Sequence, residues 1–159
     1  MKLLLWPLIL VAAWIGYGRL VFTESHLLPL LTAHTLKVYD GDAGACDFYD
    51  DEVLVDVVQD SALGRWEVEG GKGELCDFLR KTAAAFTLVD ANVNTEFSNI
   101  SLHRGGFPWT EATLHYTEHV SVQSERLPEM VFSSEDELVL VRTLTGVKVK
   151  AIHSRGQQL

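Results

Sequence analysis

Cysteine is scarce in this chain, with Cys46 and Cys76 the only two in 159 residues. A chain of that length buries an adequate core without cross-links, so a small disulfide-stapled scaffold is excluded. Proline is nearly as sparse, at four residues. No proline- or glycine-rich run marks a linker or low-complexity segment, and no repeat with a period of roughly 20–50 residues recurs. Signatures of several enzyme classes are missing too. No phosphate-loop, dinucleotide-binding or zinc-ligand spacing occurs, and no serine is framed by glycines. Gly70-Gly71-Lys72-Gly73 lacks phosphate-loop spacing and reads as a helix entry. His115 and His119 are four apart on a predicted strand, which separates them by about 13 Å and stops them sharing a metal ion. No metal and no cofactor are expected.

Positive charge is the other shortage: 13 Lys and Arg stand against 22 Asp and Glu, a formal charge of −9. Lys2 and Arg19 are the only charged residues among the first 22, so the remainder carries −11. Such a surface repels phosphate backbones, and nucleic acid is excluded as a partner.

What is present begins with a hydrophobic leader. Leu3 to Gly18 contains no charge, and Leu20, Val21 and Phe22 extend it beyond Arg19. A basic start and an apolar stretch suit a signal peptide, but the cleavage site is poor: Val11-Ala12-Ala13 is followed by Trp14 and more apolar sequence. An uncleaved signal-anchor is the favoured reading, with Trp6, Trp14 and Tyr17 as interfacial residues. Residues 1–22 are therefore expected to be a signal-anchor or signal peptide, and 23–159 a single domain. That puts the domain on the outer side of the inner or plasma membrane, or in the periplasm or medium if the leader is cut.

Apolar periodicity from Glu24 predicts a helix through Leu27, Leu30, Leu31, His34 and Val38. Gly41-Asp42 breaks it, and a short helix over Ala45, Cys46 and Phe48 follows. Val53 to Val58 is a β-branched run and reads as a strand. Ser61 to Gly71 reads as a polar connection, and Lys72 to Phe86 as an amphipathic helix. Four strand-like stretches close the chain, at Thr87–His103, Thr110–Gln123, Glu137–Leu144 and Val147–His153. Helices first and antiparallel strands last make an α+β domain. Cys46 and Cys76 fall on two predicted helices, either as a disulfide or as two small core residues.

The segment from Val38 to Val53, VYDGDAGACDFYDDEV, resembles the helix, "GD" break, short helix, "DD" and first strand of the nuclear transport factor 2-like superfamily. This family is also called SnoaL-like or ketosteroid-isomerase-like. The resemblance covers about residues 25 to 155 in order and spacing. It implies a cystatin-like roll: a cone-shaped, strongly curved, mostly antiparallel sheet packed on N-terminal helices, enclosing an apolar cavity. The partner it implies is a small apolar ligand, or a second copy bound through the sheet face.

Asp56 is the first candidate for chemistry. It interrupts the apolar run on the side of Leu54 and Val58, and by position it resembles the general-base aspartate of the family's steroid isomerases. Flanking aliphatics would raise its pKa; the alternative is a strand-edge aspartate bound to an arginine. The isomerases' two oxyanion donors match His34 and Val139, and valine cannot donate, so steroid-isomerase chemistry is disfavoured. Alternation puts Tyr116 and Glu118 on the apolar side of their strand with Leu114. There they pair with Asp56 in a dehydratase or hydrolase, or Glu118 binds Arg142. Trp66 and Trp109 are expected at the cavity rim, with Leu114 and Arg142 also lining the pocket. Function stays open between a non-catalytic ligand-binding or accessory module at a membrane, an isomerase, dehydratase or hydrolase using Asp56, and a dimerisation module whose exposed sheet face carries His115, Thr117 and His119.

Overall fold

The computed structural model describes residues 5–62, 64–125 and 127–159. Helix α1 spans Leu5–Val21 and α2 spans Glu24–Tyr39, followed by a 3-10 segment at Ala43–Phe48. Gly41 ends α2 in the left-handed region at φ +69°, where a side chain would be strained. The Asp42 carboxylate then accepts from the Gly44 amide at 2.7 Å and starts the 3-10 turn. Strands β1 (Tyr49–Ser61) and β2 (Gly64–Gly70) come next, then α3 (Lys72–Leu88). The Glu74 carboxylate accepts from the Gly71 amide at 3.0 Å and fixes the start of α3. Strands β3 (Asn92–Arg104), β4 (Glu111–Ser124), β5 (Leu127–Arg142) and β6 (Val147–Gln158) complete the chain.

The strands form one curved, unclosed sheet in the order β2-β1-β6-β5-β4-β3. All pairs are antiparallel except β1 with β6. Segment 61–71, expected as a connection, holds β2, because its backbone pairs with β1 from Ser61↔Gly64 to Val55↔Gly70. β5 begins well before Glu137, through a polar stretch that carries no apolar alternation.

One core fills the concave side. Phe22, Leu27, Val53, Leu114, Leu140 and Val149 are almost wholly buried in it. Cys46 and Cys76 form a disulfide with Cα atoms 5.9 Å apart. It ties the 3-10 segment to α3, and closing a loop of that size stabilises a fold by about 3 kcal/mol.

Helix α1 runs into this core without a linker, since Val21 and Phe22 are core residues. Arg104 Nε donates to the Phe22 carbonyl at 2.7 Å, and Arg142 Nη1 to the Trp14 carbonyl at 2.8 Å. Among the described residues no helix is long and apolar enough to cross a membrane. The expected basic start at Lys2, with Leu3 and Leu4, lies outside the described residues.

Candidate functional site

Strand alternation and register bring a small set of polar groups together on the concave face. Tyr116 of β4 is paired across the sheet with Asp136 of β5, Asp136 with Ser154 of β6, and Ser154 with Val57 of β1. One step further along β4, Glu118 lies diagonal to Asp136, the spacing at which long side chains still interact. Helix α2 brings His34 over this row, and α3 closes it with Leu75, Phe78 and Leu79. Between them is a cavity of about 190 Å³. An apolar cavity of about 150 Å³ accepts benzene, so the space suits a compound with a single ring.

The polar groups are unusual for what burial does to them. Burial, and then the nearby Asp136 charge, pushes the Glu118 carboxyl up to about 7. Asp136 is also raised by burial, but hydrogen bonds from Ser154 and Ser134 oppose the shift, with Ser134 Oγ donating to Oδ2 at 2.7 Å. Asp136 is thus the carboxyl that ionises first, while Glu118 keeps its proton into the neutral range. Burial raises the Tyr116 and Tyr49 phenols as well, so both remain hydrogen-bond donors.

His34 moves the other way. Burial lowers it to about 4, against a hydrogen bond to the Ala45 backbone that favours the cation. Its ring lies 4.5 Å from Phe48 and edge-on to Tyr49 at 5.2 Å. Its Nε2 is buried with no partner among the described residues. A neutral imidazole with a free nitrogen therefore shares a cavity with a protonated carboxyl and an ionised one.

No protein-family model and no curated protein matches the chain. Solved structures do. The β subunit of benzoate 1,2-dioxygenase from Burkholderia mallei superposes with a TM-score of 0.68 at 8% identity, over 87% of this chain and 91% of that one. A protein from Novosphingobium aromaticivorans assigned as a scytalone dehydratase gives 0.65 at 12%, over 89% and 87%. A second Novosphingobium aromaticivorans protein, NTF2-like with a cystatin-like fold, gives 0.59 at 13%, over 91% and 86%. The fold is nuclear transport factor 2-like.

On this nuclear transport factor 2-like sheet, His34, Tyr116 and Glu118 line the concave cavity. Asp56 does not. Val53, Val55 and Val57 turn toward the core, which puts Asp56 on the convex face with the exposed Leu54. Arg155 Nη2 donates to its Oδ2 at 2.5 Å, and His153 Nδ1 lies 3.6 Å away. The Arg155 guanidinium holds its pKa below the usual carboxylate range. The expectation of a desolvated base is corrected accordingly: this carboxylate is ionised and engaged.

The expected Glu118–Arg142 pair is also absent, because Arg142 binds the Trp14 carbonyl and its guanidinium lies 4.1 Å from the Trp14 ring. Leu114 is core below the cavity rather than lining. Trp66 packs at 5.0 Å on the outside of Phe78. Trp109 sits in the β3–β4 turn against Phe107, with Arg19 over its ring at 6.0 Å. Val139 falls on the convex face; the inward carboxyl of β5 is Asp136, which sequence reasoning missed.

The convex face has its own shallow groove of about 380 Å³, lined by His115, Thr117, Glu135, Glu137, His153 and Arg155 among others. Arg155 there is paired with Asp56, and His115 Nδ1 lies 3.4 Å from Glu137. It is larger than the concave cavity, but its His115, Glu137, His153 and Arg155 side chains are half-exposed to solvent. Those of the concave cavity are held ready for something else.

Proposed function

We propose that the concave cavity binds a small, mostly apolar, single-ring molecule and moves protons on it, as in loss of water next to a carbonyl. The observation that carries this is the joint presence of neutral His34, with an unpartnered Nε2, and the proton-retaining carboxyl of Glu118. In an elimination, His34 Nε2 takes the proton from carbon, the carbon–carbon double bond forms, and the carbon–oxygen bond breaks. The hydroxyl leaves as water with the Glu118 proton. Tyr116 or Tyr49 supplies a donor to the carbonyl oxygen as charge builds there. The solved neighbour assigned as a scytalone dehydratase lends support at the level of fold.

The test is a panel of single-ring β-hydroxy ketones, followed by the absorbance of the conjugated product. Wild-type turnover is expected, with about a 10²- to 10⁴-fold fall in Glu118→Gln and in His34→Gln at unchanged ligand affinity. Binding without turnover in every protein would sink the catalytic reading and leave a ligand-binding module.

The same reading takes α1 as a membrane-contacting segment. Ile9, Leu10, Val11, Trp14, Tyr17 and Leu20 are all exposed on it, and no acid precedes Glu24. The Cys46–Cys76 disulfide suits a domain on the oxidising side of that membrane. Deleting residues 1–22 would also remove core residues, so substitution is the cleaner test. Leu10→Glu with Val11→Glu should release the full chain from phosphatidylcholine vesicles in co-sedimentation; undiminished sedimentation would reject the membrane contact.

A further inference from the structure

Three elements far apart in sequence bring large apolar side chains to the same end of the cone. The β5–β6 turn is closed by Thr143 N donating to Gly146 O at 2.7 Å, and carries Leu144 at its tip, 99% exposed. The β3–β4 turn is closed by Trp109 N to Gly106 O at 2.9 Å, and holds Phe107 70% exposed. The bases of the two turns are joined by Arg142 N donating to Thr110 O at 2.8 Å. Helix α1 lies beside both, through Arg142 on Trp14 and Arg19 over Trp109.

Tight turns normally carry polar or small residues, so an aliphatic and an aromatic at two adjacent tips call for a partner. Charge narrows its chemistry. In a chain of net charge −9, Arg19, Arg104, Arg142 and Lys148 gather at this end, while the nearby acids Glu111, at 2.8 Å, and Asp50 share Lys150. Arginine and tryptophan beneath a fringe of apolar tips is the arrangement that suits a headgroup layer with acyl chains below it.

We propose that this end of the domain, Phe107 and Leu144 together with α1, rests in the lipid interface. The inference rests on α1 being a membrane-contacting segment and adds that the domain itself is seated, rather than swinging on a tether. The orientation has a corollary. From this end, the concave rows run Ala112–Leu140, then Leu114–Leu138, then Tyr116–Asp136 and Glu118–Ser134. Ala112, Leu140 and Leu114 are packed core, while Leu138, Tyr116, Asp136 and Glu118 line the cavity. The polar groups of the cavity, Tyr116, Asp136 and Glu118, therefore lie on the side of it away from the bilayer.

The native cysteines are both in the disulfide, so single cysteines can be introduced and labelled in the full chain. A polarity-sensitive dye is placed by Leu10→Cys, Phe107→Cys, Leu144→Cys and, at the opposite end, Ala62→Cys. The probe is a phosphatidylcholine–phosphatidylglycerol vesicle with nitroxide-labelled acyl chains. Loss of most of the emission is expected at 10, 107 and 144, and none at 62. Quenching at 10 alone overturns the seating while α1 contact survives; no quenching at 10 overturns both. Phe107→Ser and Leu144→Ser, at exposed positions that leave the fold alone, should each weaken vesicle partitioning about tenfold. Unchanged partitioning in both would also overturn the proposal.

Discussion

The two faces of the sheet both carry carboxyl groups, and the same chemical group behaves oppositely on each. On the convex face Asp56 has Arg155 and His153 within reach and stays ionised. On the concave face Asp136 has serine donors and Glu118 has the Asp136 charge beside it, and burial raises both. The convex carboxylate is a finished interaction. The concave pair is unfinished, and unfinished electrostatics inside a cavity are what proton transfer needs.

This contrast can be broken by substitution. The largest effect belongs to Glu118→Gln, which should lower turnover of a dehydration substrate by about 10²-fold or more, while Asp56→Asn leaves it unchanged. Equal losses in steady-state assays of the two variants would erase the distinction.

Stability comes next. Glu118 has a raised pKa, so its contribution is complete below about pH 4.5 and is lost as pH climbs through about 7. Glu118→Gln is spared that loss. Urea unfolding should show the wild type falling behind the variant by up to about 3 kcal/mol between pH 4.5 and 8. A gap independent of pH would mean that Glu118 is not desolvated.

A smaller shift tests the coupling. In Asp136→Asn, carboxyl-detected NMR should place the Glu118 midpoint below 7 but still above 4.5, because burial is the larger cause and the Asp136 charge the second. No movement would uncouple the pair.

The smallest effect is on the convex side. The Asp56 pKa is lowered, so its contribution is present above the ordinary carboxylate range and lost only as pH falls through it. Asp56→Asn should leave the pH dependence of unfolding unchanged from pH 5 to 8, with any difference confined to acid and reduced by salt. A neutral-pH slope would overturn that.

Much of this fold is legible as periodicity. Gly41-Asp42 ends α2 where the left-handed glycine and the Asp42 cap require it, and period-two alternation in β4 correctly puts Tyr116 and Glu118 inward. Alternation alone also sorts Asp56 from Val53, Val55 and Val57. It does not say which side is concave, because β1 is apolar in both directions, with Val58 buried on the side of Asp56. Asp136 was hidden for a different reason. It stands in Ser133-Ser134-Glu135-Asp136-Glu137, which looks solvated when read as composition. Only cross-strand pairing with Tyr116 and Ser154 shows that every second residue there is covered. β2 was missed likewise, since Gly64–Gly70 is largely exposed and is a strand by its backbone pairing to β1.

The raised carboxyl of Glu118 also sets the terms on which anything occupies the cavity. A group that titrates near pH 7 in the empty site must retain, gain or surrender its hydrogen ion when a ligand displaces the water around it, so occupancy and acidity are linked quantities. An anionic guest brings a proton in with it and loses up to about tenfold in affinity for each pH unit above 7. A cationic guest shows the reverse slope. Calorimetric titrations of one ligand in two buffers of different ionisation enthalpy would then give different heats. That difference counts the protons moved, and its sign reports the charge of the natural occupant before the occupant is known.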